Sequence, residues 1–122
     1  MNKRRILIVE DEAIIAADLQ RQLQRLGYRI DGCARSGEEA VRLARQMSPH
    51  LVLMDIRLAG LMNGLEAARQ IYEELAIPIV YTTAFANLLM QNPYEMQPPH
   101  LCVAKPFFIQ DLRTVINIAL AG

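Results

Sequence analysis

The chain has no surplus of either charge: 13 Lys and Arg stand against 13 Asp and Glu in 122 residues. Without a net field there is little to draw it to nucleic acid or to an anionic lipid surface, so neither is expected as a direct partner of this domain. Long apolar runs are missing as well. Met1-Asn2-Lys3-Arg4-Arg5 leads into only Ile6 to Val9, too short for a signal-peptide core. Elsewhere no run approaches the ~20 apolar residues that cross a bilayer. The two cysteines, Cys33 and Cys102, have neither metal-ligand spacing nor a paired framework, and a reducing cytoplasm is the expected setting. Repeats, low-complexity segments and linkers are also lacking, which leaves one domain over residues 1–122.

What the chain does have is hydrophobic residues, at 52% a share that argues for a buried sheet and against disorder. Four short runs carry them: Ile6-Leu7-Ile8-Val9, Leu51-Val52-Leu53-Met54, Ile77-Pro78-Ile79-Val80-Tyr81 and Leu101-Cys102-Val103-Ala104. None alternates with polar residues, as befits parallel strands covered on both faces. A fifth run, Tyr28 to Cys33, does alternate and reads as a half-exposed edge strand. Helical stripes lie between the runs: Ile15, Leu19, Leu23 and Leu26, closed by Gly27; Ala40, Leu43, Ala44 and Met47; Leu65, Ala68, Tyr72 and Leu75; and Leu112, Val115, Ile116 and Ala119. Ser36-Gly37-Glu38-Glu39 forms a capping box for the second of these helices. Between Asn87 and Pro99 one short helix over Asn87–Gln91 fits before Pro93, Pro98 and Pro99 forbid more. With right-handed crossovers, this alternation predicts an α/β fold, a doubly wound five-stranded parallel sheet between two helix layers, and the alternating edge strand fits the order 2-1-3-4-5. Cys33 and Cys102 then lie on opposite edges, about 19 Å apart at ~4.8 Å per strand, beyond the ~7 Å reach of a disulfide.

Ligands of open α/β sheets bind past the carboxyl ends of the strands. Glu10-Asp11-Glu12 follow the first run, Asp55 follows the third, Thr82 and Thr83 close the fourth, and Lys105-Pro106 follow the fifth. Carboxylates, hydroxyls and an ammonium therefore converge on one rim. Crowded carboxylates repel one another, and a hard cation with oxygen ligands relieves the repulsion; Mg²⁺ or Mn²⁺ suits the site. An aspartate beside such a metal can act as a nucleophile toward a phosphoryl donor. The metal, a lysine and a hydroxyl can then hold the phosphoryl oxygens.

Glu10-Asp11, Asp55, Thr83-Ala84 and Lys105-Pro106-Phe107, each after its own strand, make the chain similar to the response-regulator receiver (CheY-like) family of bacterial two-component systems from about Arg4 to Ala119. The resemblance implies a flavodoxin-like fold. It implies Asp55 as phosphoacceptor and Glu10, Asp11, Asp55 and the Arg57 carbonyl around the metal. Thr83, Ala84 and Lys105 would bind the phosphoryl group and switch with it, and the bond before Pro106 would be cis. The implied donors are a sensor histidine kinase or a histidine phosphotransfer protein. The chain departs from the family pattern in three places. The loop Ile56 to Gly64 is one residue longer than the commonest form and lacks its Met-Pro; Cys102 occupies the place of a switching Tyr or Phe; and the segment after Thr83 is rich in proline. The apolar residues of Ala84–Pro99 mark a surface for a downstream protein or a homodimer contact, or else a cover over the sheet. Thr83-Ala84-Phe85 with Leu88-Leu89 resembles receivers of stress-response regulators that carry a sigma-factor-like domain.

Two other classes fit less well. An aspartate-nucleophile phosphatase needs a second acid/base aspartate just after the nucleophile, where Ile56 and Arg57 stand. A flavodoxin-type cofactor binder needs a phosphate-cradling loop after the first strand, where Glu10-Asp11-Glu12 would repel phosphate. A switch rather than an enzyme is expected.

Overall fold

The computed structural model describes residues 3–57, 63–83, 101–105 and 107–121. The elements run β1 (Arg5–Val9), α1 (Ala13–Arg25), β2 (Arg29–Ala34), α2 (Gly37–Met47), β3 (Leu51–Asp55), α3 (Gly64–Leu75), β4 (Ile79–Thr83), β5 (Leu101–Ala104) and α4 (Ile109–Ala121). The expected helix over Asn87–Gln91, the residues Ala84 to Pro99 and Pro106 lie outside the described residues.

All strand pairs are parallel, as the alternation of strand and helix predicted, and the order is β2-β1-β3-β4-β5, with the half-exposed run Tyr28 to Cys33 at one edge. Successive side chains of a strand point to opposite faces. Leu7 and Val9 of β1, Val52 and Met54 of β3 and Ile79 and Tyr81 of β4 therefore share one core with Ala40, Val41 and Ala44 of α2 and Ala67, Ala68 and Ile71 of α3. Their neighbours Ile6, Ile8, Leu51, Leu53 and Val80 fill the other core, against Leu19 and Leu23 of α1 and Leu112, Ile116 and Ala119 of α4. Both faces being dry, the central strands read as continuous apolar runs.

Local chemistry sets the helix ends. Ser36 Oγ accepts the Glu39 N–H at 3.1 Å to start α2, and Asn63 Oδ1 accepts the Glu66 N–H at 2.9 Å to start α3. After α1 the chain turns through Gly27 at φ +98°, in the left-handed region glycine tolerates best.

Two expectations need correction. The third helix buries Ala67, Ala68 and Ile71 most deeply, whereas Leu65, Tyr72 and Leu75 are only half-buried, so its core stripe is turned from the one read in the sequence. The edge strand β2 does not alternate simply either; its middle four residues are all half-buried. The cause is a bulge. Ile6 pairs with Ile30 but Leu7 pairs with Gly32, which leaves Asp31 without a partner across the strand pair. The Asp31 carboxylate, 2% exposed, meets Arg5 Nη1 at 2.8 Å. The same guanidinium donates to the carbonyls of Met47 and Ser48, both at 2.8 Å, and so also satisfies the end of α2.

Candidate functional site

The carboxyl ends of the strands gather the ionisable groups. Glu10 leaves β1 with its N–H bonded to the Ala34 carbonyl at 2.9 Å, which fixes the start of the following loop against β2. Its carboxylate turns inward: Oε2 accepts the Glu12 N–H at 3.2 Å and Oε1 accepts from Lys105 Nζ at 3.0 Å. Asp55 closes β3, opposite Thr82 of β4. One of its oxygens, Oδ1, accepts the Arg57 N–H at 3.1 Å, and the other, Oδ2, accepts from Lys105 Nζ at 3.2 Å. Lys105, directly after β5, thus bridges the carboxylates of β1 and β3. Asp11 adds a third; one oxygen each of Glu10, Asp11 and Asp55 fall within 4.8 Å of one another. Glu10 is 2% exposed and Asp55 6%.

Three carboxylates and one ammonium leave the cluster short of positive charge. Burial pushes the Glu10 carboxyl up to about 7; the hydrogen bonds from Lys105 and the Glu12 amide pull it down only in part, and Asp55 beside it pushes it further up. Burial by itself would lower the Lys105 ammonium, but its bond to Glu10 and the charge of Asp55 outweigh that and hold it above its ordinary value. An all-oxygen, anionic donor set of this kind fits a hard divalent cation of the Mg²⁺ or Mn²⁺ type.

Of the residues singled out in the sequence, the structure brings together Glu10, Asp11, Asp55 and Lys105, and Arg57 joins them through its backbone N–H. Thr83 ends β4 on the same rim, opposite Ala104. Ala84 and Pro106 fall outside the described residues. Cys102 is opposite Tyr81, which is buried, and packs against the α2/α3 core; it is a free thiol, as is Cys33 on the other edge of the sheet. Thr82, read in the sequence with Thr83 at this rim, is buried opposite Asp55. One residue of the site was not foreseen. Gly64 lies against the Asp55–Ile56 peptide and donates its N–H to the Ile56 carbonyl at 3.1 Å. In sequence it is an ordinary helix-entry glycine, and only the approach of α3 to β3 gives it meaning. Among the described residues no helix is long and apolar enough to cross a membrane.

Residues 6–117 match the family described as "Response regulator receiver domain". The chain is 39% identical over 118 residues to the transcriptional regulatory protein PdtaR of Mycobacterium tuberculosis, covering 97% of this chain and 57% of PdtaR. It is 36% identical over 116 residues to the phyllosphere-induced regulator PhyR of Methylorubrum extorquens, covering 94% and 43%. Among solved structures, the anti-anti-sigma factor PhyR of Bartonella quintana superposes with a TM-score of 0.85 at 33% identity, over 99% of this chain and 49% of that one. The chain spans about half the length of the curated relatives it matches. Matched along nearly its whole length and carrying the five-stranded sheet with an acidic rim, the chain belongs to the response-regulator receiver family of two-component signalling.

Proposed function

We propose that this domain is a switch whose phosphoacceptor is Asp55, charged by a sensor histidine kinase or a histidine phosphotransfer protein. A carboxylate oxygen of Asp55 bonds to phosphorus as the donor's own bond to phosphorus breaks, and the donor leaves with that electron pair. Glu10, Asp11, Asp55 and the Arg57 carbonyl would hold Mg²⁺ or Mn²⁺, which when bound supplies the positive charge that the carboxylates and phosphoryl oxygens require. Lys105 already lies on Asp55 and stays with the phosphoryl group as a second cation. Thr83, the last residue of β4, and Ala84, which follows it in sequence, would take the remaining phosphoryl oxygens and carry the change into the chain beyond. The product stays on the protein, so the domain signals by its state rather than by turnover.

The observation that supports this reading is the single ammonium of Lys105 shared between Glu10 Oε1 and Asp55 Oδ2 at 3.0 and 3.2 Å, with the Asp11 carboxylate alongside. Similarity to an anti-anti-sigma factor extends the proposal to an output partner: an anti-sigma protein, engaged through the Ala84–Pro99 surface or through a segment outside this chain. Acetyl phosphate with Mg²⁺ tests the chemistry. Intact-mass measurement should find one added phosphoryl group, labile to hydroxylamine, and none on Asp55→Asn. Full labelling of Asp55→Asn would overturn the assignment.

A further inference from the structure

We infer that Gly64 is a positioning residue for the Asp55 site: its missing side chain lets α3 seat on the Asp55–Ile56 peptide and thereby aims Asp55. The inference rests on the phosphoacceptor reading above and deepens it.

A Cβ built on Gly64 would collide with the Asp55 carbonyl oxygen and with the Cα and carbonyl oxygen of Ile56. All three are main-chain atoms, so no rotamer change makes room. The backbone conformation is not the reason for the glycine, since Gly27 is the one glycine at positive φ among the described residues. Close approach is the reason. Gly32 provides the contrast: a Cβ there would lie 3.8 Å from Leu7 and Leu43 Cδ1, an ordinary contact with side-chain tips.

The helix is not free to retreat from such a collision. Asn63 and Glu66 fix its first turn through two hydrogen bonds, Glu66 N–H to Asn63 Oδ1 at 2.9 Å and Asn63 Nδ2 to Glu66 Oε1 at 3.2 Å. Ala67, Ala68 and Ile71 lock it against the sheet. The strain must fall on residues 55–57 instead. The Ile56 N–H reaches the Thr82 carbonyl at 3.3 Å, a long bond, and the orientation of Asp55 depends on the Arg57 N–H at 3.1 Å. Displacing this segment turns the Asp55 carboxylate away from Lys105, Glu10 and Asp11. A misplacement of about 1 Å in a reacting group can cost roughly 10²-fold in rate.

The test compares three variants with the wild type. Gly64→Ala should fold cooperatively yet bind Mg²⁺ at least tenfold more weakly and take label from acetyl phosphate at least tenfold more slowly. Gly32→Ala should match the wild type in both. Leu75→Ala, a half-buried residue of the same helix packed on the core, supplies a comparable loss of melting temperature away from the site. It should keep Mg²⁺ affinity within about twofold. If Gly64→Ala and Leu75→Ala behave alike, Gly64 is structural only and the inference falls. A measurement on the wild type covers the case in which Gly64→Ala does not fold. Coupling between two sites is reciprocal, so Mg²⁺ should slow hydrogen exchange of the Gly64 amide, and unchanged exchange in saturating Mg²⁺ overturns the inference. The two proposals fail separately. A wild type that binds Mg²⁺ but takes no phosphoryl group defeats the phosphoacceptor reading alone; a wild type that is labelled while Gly64→Ala is labelled equally defeats only this one.

Discussion

Removing the Lys105 ammonium should destabilise the protein by an amount that depends on pH. In Lys105→Ala, Glu10 Oε1 and Asp55 Oδ2 lose the donor at 3.0 and 3.2 Å, and two buried carboxylates are left side by side. A charge-assisted hydrogen bond contributes about 1.5–3 kcal/mol, and deleting one partner exposes the desolvation cost of the other. The two bonds share one ammonium that is 23% exposed, so water restores part of the loss and the sum is not reached. About 2 kcal/mol is expected at pH 8 in EDTA, which at ~4 °C per kcal/mol for a domain of this size lowers the melting temperature by about 8 °C.

The pH dependence follows from Glu10. Its folded pKa of about 7 lies above the ordinary 4.5, so the folded state holds a proton that the unfolded chain has released. This contribution to stability is present at low pH, declines as pH rises from about 4.5, and is lost above about 7. At pH 6 Glu10 is protonated and can donate to Asp55 itself, which does part of the work of the lysine. The penalty of Lys105→Ala should therefore be less than half as large at pH 6 as at pH 8, and millimolar Mg²⁺ should restore most of it at pH 8. Thermal unfolding monitored by circular dichroism, with EDTA or Mg²⁺ at each pH, decides the matter. Equal losses at the two pH values would refute the account of Glu10, and no loss at pH 8 would refute the bridge.

Mg²⁺ affinity should fall by roughly tenfold or more between pH 8 and pH 6, because binding must displace the Glu10 proton; a titration flat over that range counts against Glu10 as a metal neighbour. Ala76 caps α3 at φ +55° and is exposed, so Ala76→Gly should raise stability by about 0.5–1 kcal/mol, read as a higher urea midpoint with an unchanged slope. Arg5→Met should cost about 2–3 kcal/mol, just below the ~3–5 kcal/mol for breaking a fully buried pair, because Arg5 is partly exposed. Adding Asp31→Asn to it should cost little more, and additive losses in that double variant would show that the two residues do not act as a pair.

The sheet order and the acidic rim were legible in the sequence because each depends on short-range features. A strand dry on both faces must be apolar throughout, and the first residues after it belong to the carboxyl rim wherever the strand sits. Glu10, Asp11, Asp55 and Lys105 could thus be placed together before any distance was known. The bulge at Asp31 was not legible. It arises from Arg5, Asp31, Met47 and Ser48 sharing one guanidinium across three elements, and nothing local to Arg29–Ala34 announces it. In α3 the stripe read in the sequence contained Ala68 but was led by Leu65, Tyr72 and Leu75 and missed Ala67 and Ile71, yet the small Ala67 and Ala68 are what let the helix come close enough to press Gly64 on β3. The sequence favours large apolar residues as core, while helix-to-sheet distance is governed by small ones.

The position of Lys105 couples the middle of the sheet to its margin. β5 has only four residues and joins the sheet through β4 alone, yet the cation that neutralises the ends of β1 and β3 hangs from its last turn. If that margin peels back, the two carboxylates lose their counterion together, so the local opening equilibrium of the outermost strand and the charge state of the centre are one equilibrium seen from two places. Anything that adds negative charge at Asp55 tightens the seam between β4 and β5, and anything that grips β5 steadies the lysine. The edge strand therefore acts as a clasp, and its hold can be read from hydrogen exchange at Leu101–Ala104 with no probe at the rim at all.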